Sequence, residues 1–210
     1  MKPNLENRRA RARYEKILED GFNLFLKNGY KNTSLNDLVA QSGGSLSTIY
    51  KYFENKEGLF KAIALDGIEN FKKDLEKKIN INENLSLEEF LFKFSEIYLS
   101  VVLSPKAISF HRLILSEGFN QENRSIGEMF SKESSSFLLT YLLEFLKKEP
   151  RMAKFNDDEL EFFTITFIRT IREPYFTNML VFSKSLKISQ EEKTNHINKT
   201  IKMLLNGFLS

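Results

Sequence analysis

The segment TSLNDLVAQSGGSLSTIYKYFENKEGL, from Thr33 to Leu59, carries the most informative pattern in the chain. Ser34 stands three residues before Asp37, an arrangement that caps the first turn of a helix. Gly43-Gly44 then ends the helical pattern, because glycine tolerates the backbone angles of a sharp turn. Ser45 can cap a second short helix after this turn. The segment therefore predicts a helix-turn-helix, whose helix after the turn enters the DNA major groove. An ordinary helical hairpin in a bundle is the commoner alternative.

Helices are predicted on both sides of this segment. Upstream, the spacing of apolar residues predicts an amphipathic helix from Tyr14 to Asn28, which Gly29 ends. Downstream, Asn55 can cap a long helix whose apolar residues continue to Ile79. A polar stretch at 80–86 marks a connection. The remaining helices are predicted near 87–103, 106–117, 125–148, 157–182 and 190–208.

The composition favours an all-α fold. Four Pro and nine Gly among 210 residues leave few of the sharp turns that connect strands. Residues 163–168 alternate with period two, as a strand would. A lone strand would have no partner for its backbone hydrogen bonds, so we predict a helix here as well.

Positive charge is concentrated at the N-terminal end. Residues 1–56 carry ten Lys or Arg and six Asp or Glu, whereas the remainder carries 21 and 22. Four of these bases lie in an arm upstream of the first predicted helix, at Arg8, Arg9, Arg11 and Arg13. A basic end on a near-neutral body is typical of a protein that meets a polyanion. A solvated arm without a partner is the alternative.

The sequence argues against the common classes of enzyme. It contains no Cys, and no nucleophile-elbow, Walker or dinucleotide-binding glycine motif. A di-iron bundle would need Glu three residues before His, but Ile108 and Lys193 stand there. We therefore predict no catalytic site, no metal site and no cofactor.

Apolar runs of membrane-spanning length and a signal peptide are also missing, so we expect a cytoplasmic protein. A helical protein-interaction module with a basic arm is the alternative to a DNA-binding protein.

The Thr33–Leu59 segment resembles the DNA-binding region of the TetR family of bacterial repressors. The similar features are the caps Thr33-Ser34 and Ser45, then Thr48-Ile49-Tyr50, Tyr52-Phe53, Asn55-Lys56-Glu57 and Leu59, with Ile17-Leu18, Leu24-Phe25 and Gly29-Tyr30 upstream. The resemblance implies a DNA-binding domain at 1–56, with its helix-turn-helix at about 33–52, and a helical ligand-binding and dimerisation domain at 57–210. The sequence departs from the family pattern at Gly44 and Ser47.

The predicted DNA contacts come from a helical wheel and from the resemblance. The wheel places Leu46, Ile49, Tyr50 and Phe53 on one face of the helix after the turn, and Ser47, Thr48, Lys51 and Tyr52 on the other. The resemblance adds Leu46 at a base edge and Tyr50 at a phosphate. Leu46 either packs inward or touches a thymine methyl. The full set of candidates is Arg8, Arg9, Arg11, Arg13, Thr33, Ser34, Ser45, Leu46, Ser47, Thr48, Tyr50, Lys51, Tyr52 and Lys56.

The resemblance also implies a homodimer on a palindromic operator and a small-molecule effector that releases the DNA. The predicted dimer contacts are Phe163, Phe167, Ile197, Ile201, Leu204 and Phe208. The predicted ligand pocket, for an apolar or aromatic effector, comprises Phe110, His111, Phe137, Tyr141, Phe167, Arg172 and Phe176. Arg172 could hold an anionic group or pair with Glu173.

Part of this pocket set rests on short segments that are similar to the repressor of a multidrug efflux pump. These segments are Ser42-Gly43-Gly44-Ser45, Ser104-Pro105-Lys106-Ala107 with Phe110, Glu173-Pro174-Tyr175 and Leu205-Asn206-Gly207. An efflux or stress operon is therefore among the expected targets.

Overall fold

A computed structural model describes residues 7–79, 85–118, 124–173, 175–182 and 188–209. Within these ranges the chain forms ten α-helices, one 3-10 helix at Pro150–Met152 and no strand, which confirms the all-α prediction. The helices are α1 (Arg8–Asn28), α2 (Leu35–Ser42), α3 (Leu46–Phe53), α4 (Lys56–Lys78), α5 (Leu87–Val102), α6 (Pro105–Gly118), α7 (Arg124–Leu146), α8 (Asp157–Arg172), α9 (Tyr175–Phe182) and α10 (Gln190–Leu209). None of them combines the length and the apolar character that a bilayer-spanning segment needs.

The structure corrects two of the predicted helices. The basic arm is the start of α1, because Asn7 caps that helix by accepting a hydrogen bond from the Ala10 N–H at 2.8 Å. The helix predicted at 157–182 is divided into α8 and α9, and Glu173 between them is extended. The next residue in the sequence is proline, which disfavours the helical conformation of the residue before it. The predicted connections at 80–86, 118–123 and 183–189 fall mainly outside the described residues.

The first of two compact units contains the helix-turn-helix. It comprises α1 to α3, α4 up to Glu69, α6 from Ser109 onward and α7 up to Glu133. Its core is aromatic at the centre: the Phe60 ring lies 5.2 Å from Phe25 and 5.6 Å from Phe110, measured between centroids. Ile114 and Ile126 are buried in the same core. Residues far along the chain therefore complete the core around the helix-turn-helix.

The second unit comprises the rest of the described chain, with α5, α8 and α10 packed against one another. The Phe90 and Phe145 rings stack with their centroids 3.7 Å apart. Capping boxes begin α5 at Ser86 and α8 at Asn156. The segment 163–168 is helical, as predicted, and Phe163 and Phe167 bury one face of α8.

Candidate nucleic-acid interface

Both predicted serine caps of the helix-turn-helix are present. The Ser34 hydroxyl accepts from the Asp37 N–H at 3.1 Å, and the Asp37 carboxylate accepts from the Ser34 N–H at 2.9 Å. Hydrogen bonds from Ser34 lower the pKa of Asp37. At the next helix, the Ser45 hydroxyl accepts from the Thr48 N–H at 3.3 Å. The chain enters α2 and α3 with fixed directions as a result.

The buried face of α3 is formed by Ile49 and Phe53, which are 1% and 4% exposed. Ser47 and Lys51 point outward, and Tyr50 is half exposed, at 50%. Tyr52 is the partly buried tyrosine, because its ring packs against Tyr14 of α1 at 5.6 Å. The wheel had the two tyrosines reversed. Tyr50 and Tyr52 lie on opposite sides of the buried Ile49–Phe53 stripe, at equal angles from it. Tyr14 packs on the Tyr52 side, so Tyr52 is the one that is covered.

A groove lies beside the exposed face of α3. Its volume is about 370 Å³, and it is lined by Lys31, Asn32, Thr33, Ser34, Leu35, Asn36, Leu46, Tyr50 and Lys56. Leu46 is half-buried in its wall, so its side chain both packs and faces the groove. The groove thus joins the start of α2 to the outward residues of α3.

The four predicted arm arginines have different surroundings. Arg8, Arg9 and Arg11 project from the exposed side of the first turns of α1. Arg13 instead reaches the turn between α2 and α3, where its Nη2 lies 3.5 Å from the Gly43 carbonyl oxygen. Gly44 has a φ of 144°, and any Cβ there would meet the Arg13 guanidinium. The glycine that departs from the family pattern therefore makes room for an arginine.

Two further DNA-contact candidates are engaged inside the protein. Thr33 is 3% exposed, and its hydroxyl donates to the Gly29 carbonyl at 2.8 Å. The Lys56 ammonium donates to the carbonyls of Tyr30, Lys31 and Thr33 at 2.9, 3.3 and 3.0 Å. The Thr33 hydroxyl is thus turned inward, and the Lys56 ammonium, although Lys56 lines the groove, is held by three carbonyls. The sequence did not reveal this, because the acceptors lie on a loop distant in the chain from Lys56.

The predicted pocket residues belong to different units. Phe110 and His111 are in the first, where both rings pack against Phe130 at 5.8 and 5.4 Å. Phe137, Tyr141, Phe167, Arg172 and Phe176 are in the second. The Tyr141 hydroxyl donates to the Ile79 carbonyl at 3.4 Å, and burial raises its pKa to about 12. Phe110 is a core residue of its unit.

Arg172 has an unusual environment at the end of α8. Its guanidinium carbon lies 4.6 Å from the centroid of the Phe176 ring, and its Nε lies 3.7 Å from the Glu173 carboxylate. That nitrogen is buried and has no hydrogen-bond partner. Burial raises the pKa of Tyr98, and the nearby Arg172 offsets part of the rise. Glu173 is therefore the ion-pair partner of this nitrogen, at a distance too long for a hydrogen bond.

Most of the predicted dimer contacts face their own unit. Phe163, Phe167, Ile197 and Ile201 are at most 4% exposed, while Leu204 and Phe208 are partly buried against the same core. The large apolar side chains that α8 and α10 expose are Phe162, at 67%, and Met203, at 59%. Phe162 shares a helical face with Asp158 and Arg169, and this charged stripe is the signal that marks it as outward-facing.

The described residues contain no group of three His, Cys, Asp or Glu side chains arranged to hold a metal ion.

Two family models match the chain. The model of bacterial regulatory proteins of the tetR family matches residues 17–63, and the model of the C-terminal domain of AefR-like transcriptional repressors matches residues 89–208. The uncharacterized HTH-type transcriptional regulator YvaF of Bacillus subtilis is 26% identical over 162 residues, covering 77% of this chain and 82% of YvaF.

Solved structures share the fold over nearly the whole chain. A TetR-family transcriptional regulator of Mesorhizobium loti has a TM-score of 0.80 at 20% identity, covering 96% of this chain and 98% of that one. FadR of Bacillus subtilis, in complex with stearoyl-CoA, has a TM-score of 0.65 at 19% identity, covering 92% and 98%. The TetR resemblance of the Thr33–Leu59 segment is confirmed by the family models. The chain belongs to the TetR family of bacterial transcriptional regulators, which bind operator DNA as dimers and carry a C-terminal domain for small-molecule ligands.

Proposed function

We propose that this regulator is a repressor that binds a palindromic operator as a homodimer and is released by a small-molecule effector. In this proposal the DNA contacts lie within residues 1–56, and the effector and dimer contacts lie within 57–210. The supporting observation is the arrangement of α3: Ile49 and Phe53 anchor it in the core, while Ser47, Tyr50 and Lys51 face outward.

Each outward group has a role that follows from its chemistry. Ser47 and Tyr50 carry hydroxyls that reach base edges or phosphates, and Lys51 neutralises a phosphate. The exposed Arg8, Arg9 and Arg11 contact the backbone or an adjacent minor groove. The α3 helix offers no arginine for a bidentate contact to guanine, so we expect A·T-leaning half-sites with a contribution from DNA shape.

Selection of duplexes from a random-sequence library tests this proposal. The wild-type protein should enrich an inverted repeat whose half-sites are centred about 34–36 Å apart, the spacing that a two-fold dimer imposes. Sedimentation of the selected duplex with protein should give two chains per duplex. Enrichment of single, unpaired half-sites would contradict the dimer, and absence of any enrichment would contradict sequence-specific binding.

We infer that the effector is apolar or aromatic and carries an acidic group. Support comes from the buried Arg172 Nε beside the Phe176 ring, which has Glu173 as an ion-pair partner at 3.7 Å but makes no hydrogen bond, since a guanidinium pairs well with a carboxylate or phosphate. The stearoyl-CoA bound to FadR is a ligand of this type. An efflux or stress operon fits such an effector. The regulator would act in the cytoplasm and by binding alone, without catalysis.

Stearate and stearoyl-CoA are the first probes for the effector. We expect the active probe to release the selected duplex from the wild-type protein, and Arg172→Met to require a concentration about tenfold or more higher, as for loss of a charged hydrogen bond. Arg169→Met, on the exposed side of α8, is the matched control and should respond like the wild type. An unchanged response of Arg172→Met would contradict the role of Arg172. Failure of both probes would exclude this acyl class.

A further inference from the structure

The loop between α1 and α2 presents three backbone carbonyls to one ammonium group. Lys56 Nζ lies 2.9 Å from the Tyr30 oxygen, 3.3 Å from the Lys31 oxygen and 3.0 Å from the Thr33 oxygen. An ammonium has three N–H donors and no acceptor. Every donor of Lys56 is therefore used within the protein.

One aromatic ring lies against the same ammonium. Lys56 Nζ lies 4.5 Å from the centroid of the Tyr30 ring, a favourable cation–π position. That ring is itself fixed, since its centroid lies 5.5 Å from Phe25 and 5.2 Å from Phe60 in the unit core. Partial burial lowers the pKa of Lys56, and the buried Glu117 of α6 acts in the opposite direction. The Tyr30 ring and the Glu117 carboxylate thus both favour the charged form of Lys56.

The loop that Lys56 holds forms one wall of the groove beside α3. Lys31 and Thr33 line the groove together with Lys56 itself, and they precede Ser34, the cap of α2. Leu46 and Tyr50 line the opposite side. A change in the loop would therefore change the position of the α2 N-terminus relative to the outward face of α3.

We propose that Lys56 is a positioning residue for DNA recognition: it fixes the α1–α2 loop against α4, and it does not neutralise a phosphate. The inference rests on the proposed operator binding. It separates Lys56 from Lys51, whose side chain is exposed on α3 and free to approach the DNA backbone.

The salt dependence of operator binding distinguishes the two lysines. Each neutralised phosphate contributes about 0.9 to the slope of log affinity against log salt concentration. The wild type, Lys56→Met and Lys51→Met are compared on the duplex selected by the wild type, well below their melting temperatures. We expect Lys56→Met to melt several degrees lower, to bind about tenfold more weakly and to keep the wild-type slope. Lys51→Met should keep the melting temperature and lose about 0.9 of slope.

Lys56→Arg provides the second variant, which keeps the charge if the methionine variant does not fold. A planar guanidinium can satisfy a phosphate but does not match three carbonyls arranged for an ammonium. We therefore expect weaker operator binding by Lys56→Arg at the wild-type slope.

Three results would overturn the inference alone, and a fourth would overturn it together with the proposed function. Loss of about 0.9 of slope in Lys56→Met would show a phosphate contact. Wild-type affinity of the folded Lys56→Met would show a purely stabilising role, and wild-type affinity of Lys56→Arg would show that only the charge matters. Absence of operator binding by the wild type would overturn the proposed function and this inference together, whereas the other results overturn the inference alone.

Discussion

Arg13 and Gly44 form a matched pair at the turn of the helix-turn-helix. The glycine has a φ of 144°, a backbone conformation that L side chains rarely adopt, and the guanidinium occupies the space that a Cβ would need. The same guanidinium lies 3.5 Å from the Gly43 carbonyl. Charge and position in the sequence suggested a phosphate contact for Arg13. Its contact with the turn joins residues 30 positions apart, which a helical wheel cannot show.

We expect Gly44→Ala to lower the free energy of unfolding by about 1–3 kcal/mol, mainly because it adds backbone strain and to a smaller extent because it displaces the flexible end of Arg13. Arg13→Ala in the same chain should recover part of that loss by removing the clash. Denaturant unfolding of both single variants and the double variant measures the coupling.

Gly67→Ala is the matched control for this pair. A Cβ at Gly67 meets no atom within 4 Å, and alanine favours the helix by about 0.5–1 kcal/mol. This variant should therefore be slightly more stable than the wild type. If Gly44→Ala lowered the free energy of unfolding equally with Arg13 and with Ala at position 13, the proposed pairing of Arg13 with Gly44 would be contradicted.

At the scale of helices, the features that the sequence predicted are local ones. The serine caps and the apolar stripe of α3 depend on residues within one or two turns, so periodicity and capping rules identify them. The covered side of α3 depends on Tyr14 of another helix, and so the helical wheel alone reverses Tyr50 and Tyr52, whereas the resemblance gives Tyr50 an outward hydroxyl. The division of α8 from α9 could have been predicted from the proline in the sequence, but the continuous apolar pattern obscured it.

The two capping boxes of α2 and α5 allow a paired prediction. Ser34→Ala and Ser86→Ala should each lower the free energy of unfolding by about 1 kcal/mol at neutral pH. Their serines lower the pKa of Asp37 and Glu89 in the folded state. This part of the stability is therefore present above the unfolded-state pKa and is lost as the pH falls through the folded-state pKa.

Unfolding measured against pH checks this prediction: the difference between each variant and the wild type should narrow in acid. The two variants should differ in DNA binding. Ser34 lines the groove beside α3, whereas Ser86 caps a helix of the other unit, so only Ser34→Ala should weaken operator binding. Equal operator affinity in both variants would contradict a contribution of the α2 N-terminus to operator binding.

At the scale of the whole molecule, the core around the helix-turn-helix includes parts of α6 and α7. Phe110, Ile114 and Ile126 are buried with residues of α1 and α4. The prediction of Phe110 in a ligand pocket rests partly on the likeness to an efflux-pump repressor. Its aromatic character and helical spacing do not tell which neighbours surround it. Contacts between distant segments of a chain are the part of a fold that local patterns do not specify.

The exposed apolar side chains of α8 and α10 lead to a prediction about assembly. We expect the exposed Phe162 and Met203 to contact a second chain, because covering them removes apolar surface from water. Phe162→Glu with Met203→Glu should shift the protein from dimer to monomer in sedimentation equilibrium. Glu161→Gln, beside Phe162 and also exposed, should leave the dimer intact. A dimer that persists in the double variant would place the interface elsewhere.

Equilibrium binding to the DNA that flanks the protein's own gene tests the central claim most directly. The wild type and a Ser47→Ala, Lys51→Ala variant are titrated on that DNA and on random DNA over a range of salt concentrations. We predict tight, sequence-selective binding by the wild type with a steep salt slope, and loss of selectivity in the variant. Equal binding to both DNAs, unchanged in the variant, would contradict the assignment of α3 as the helix that recognises DNA.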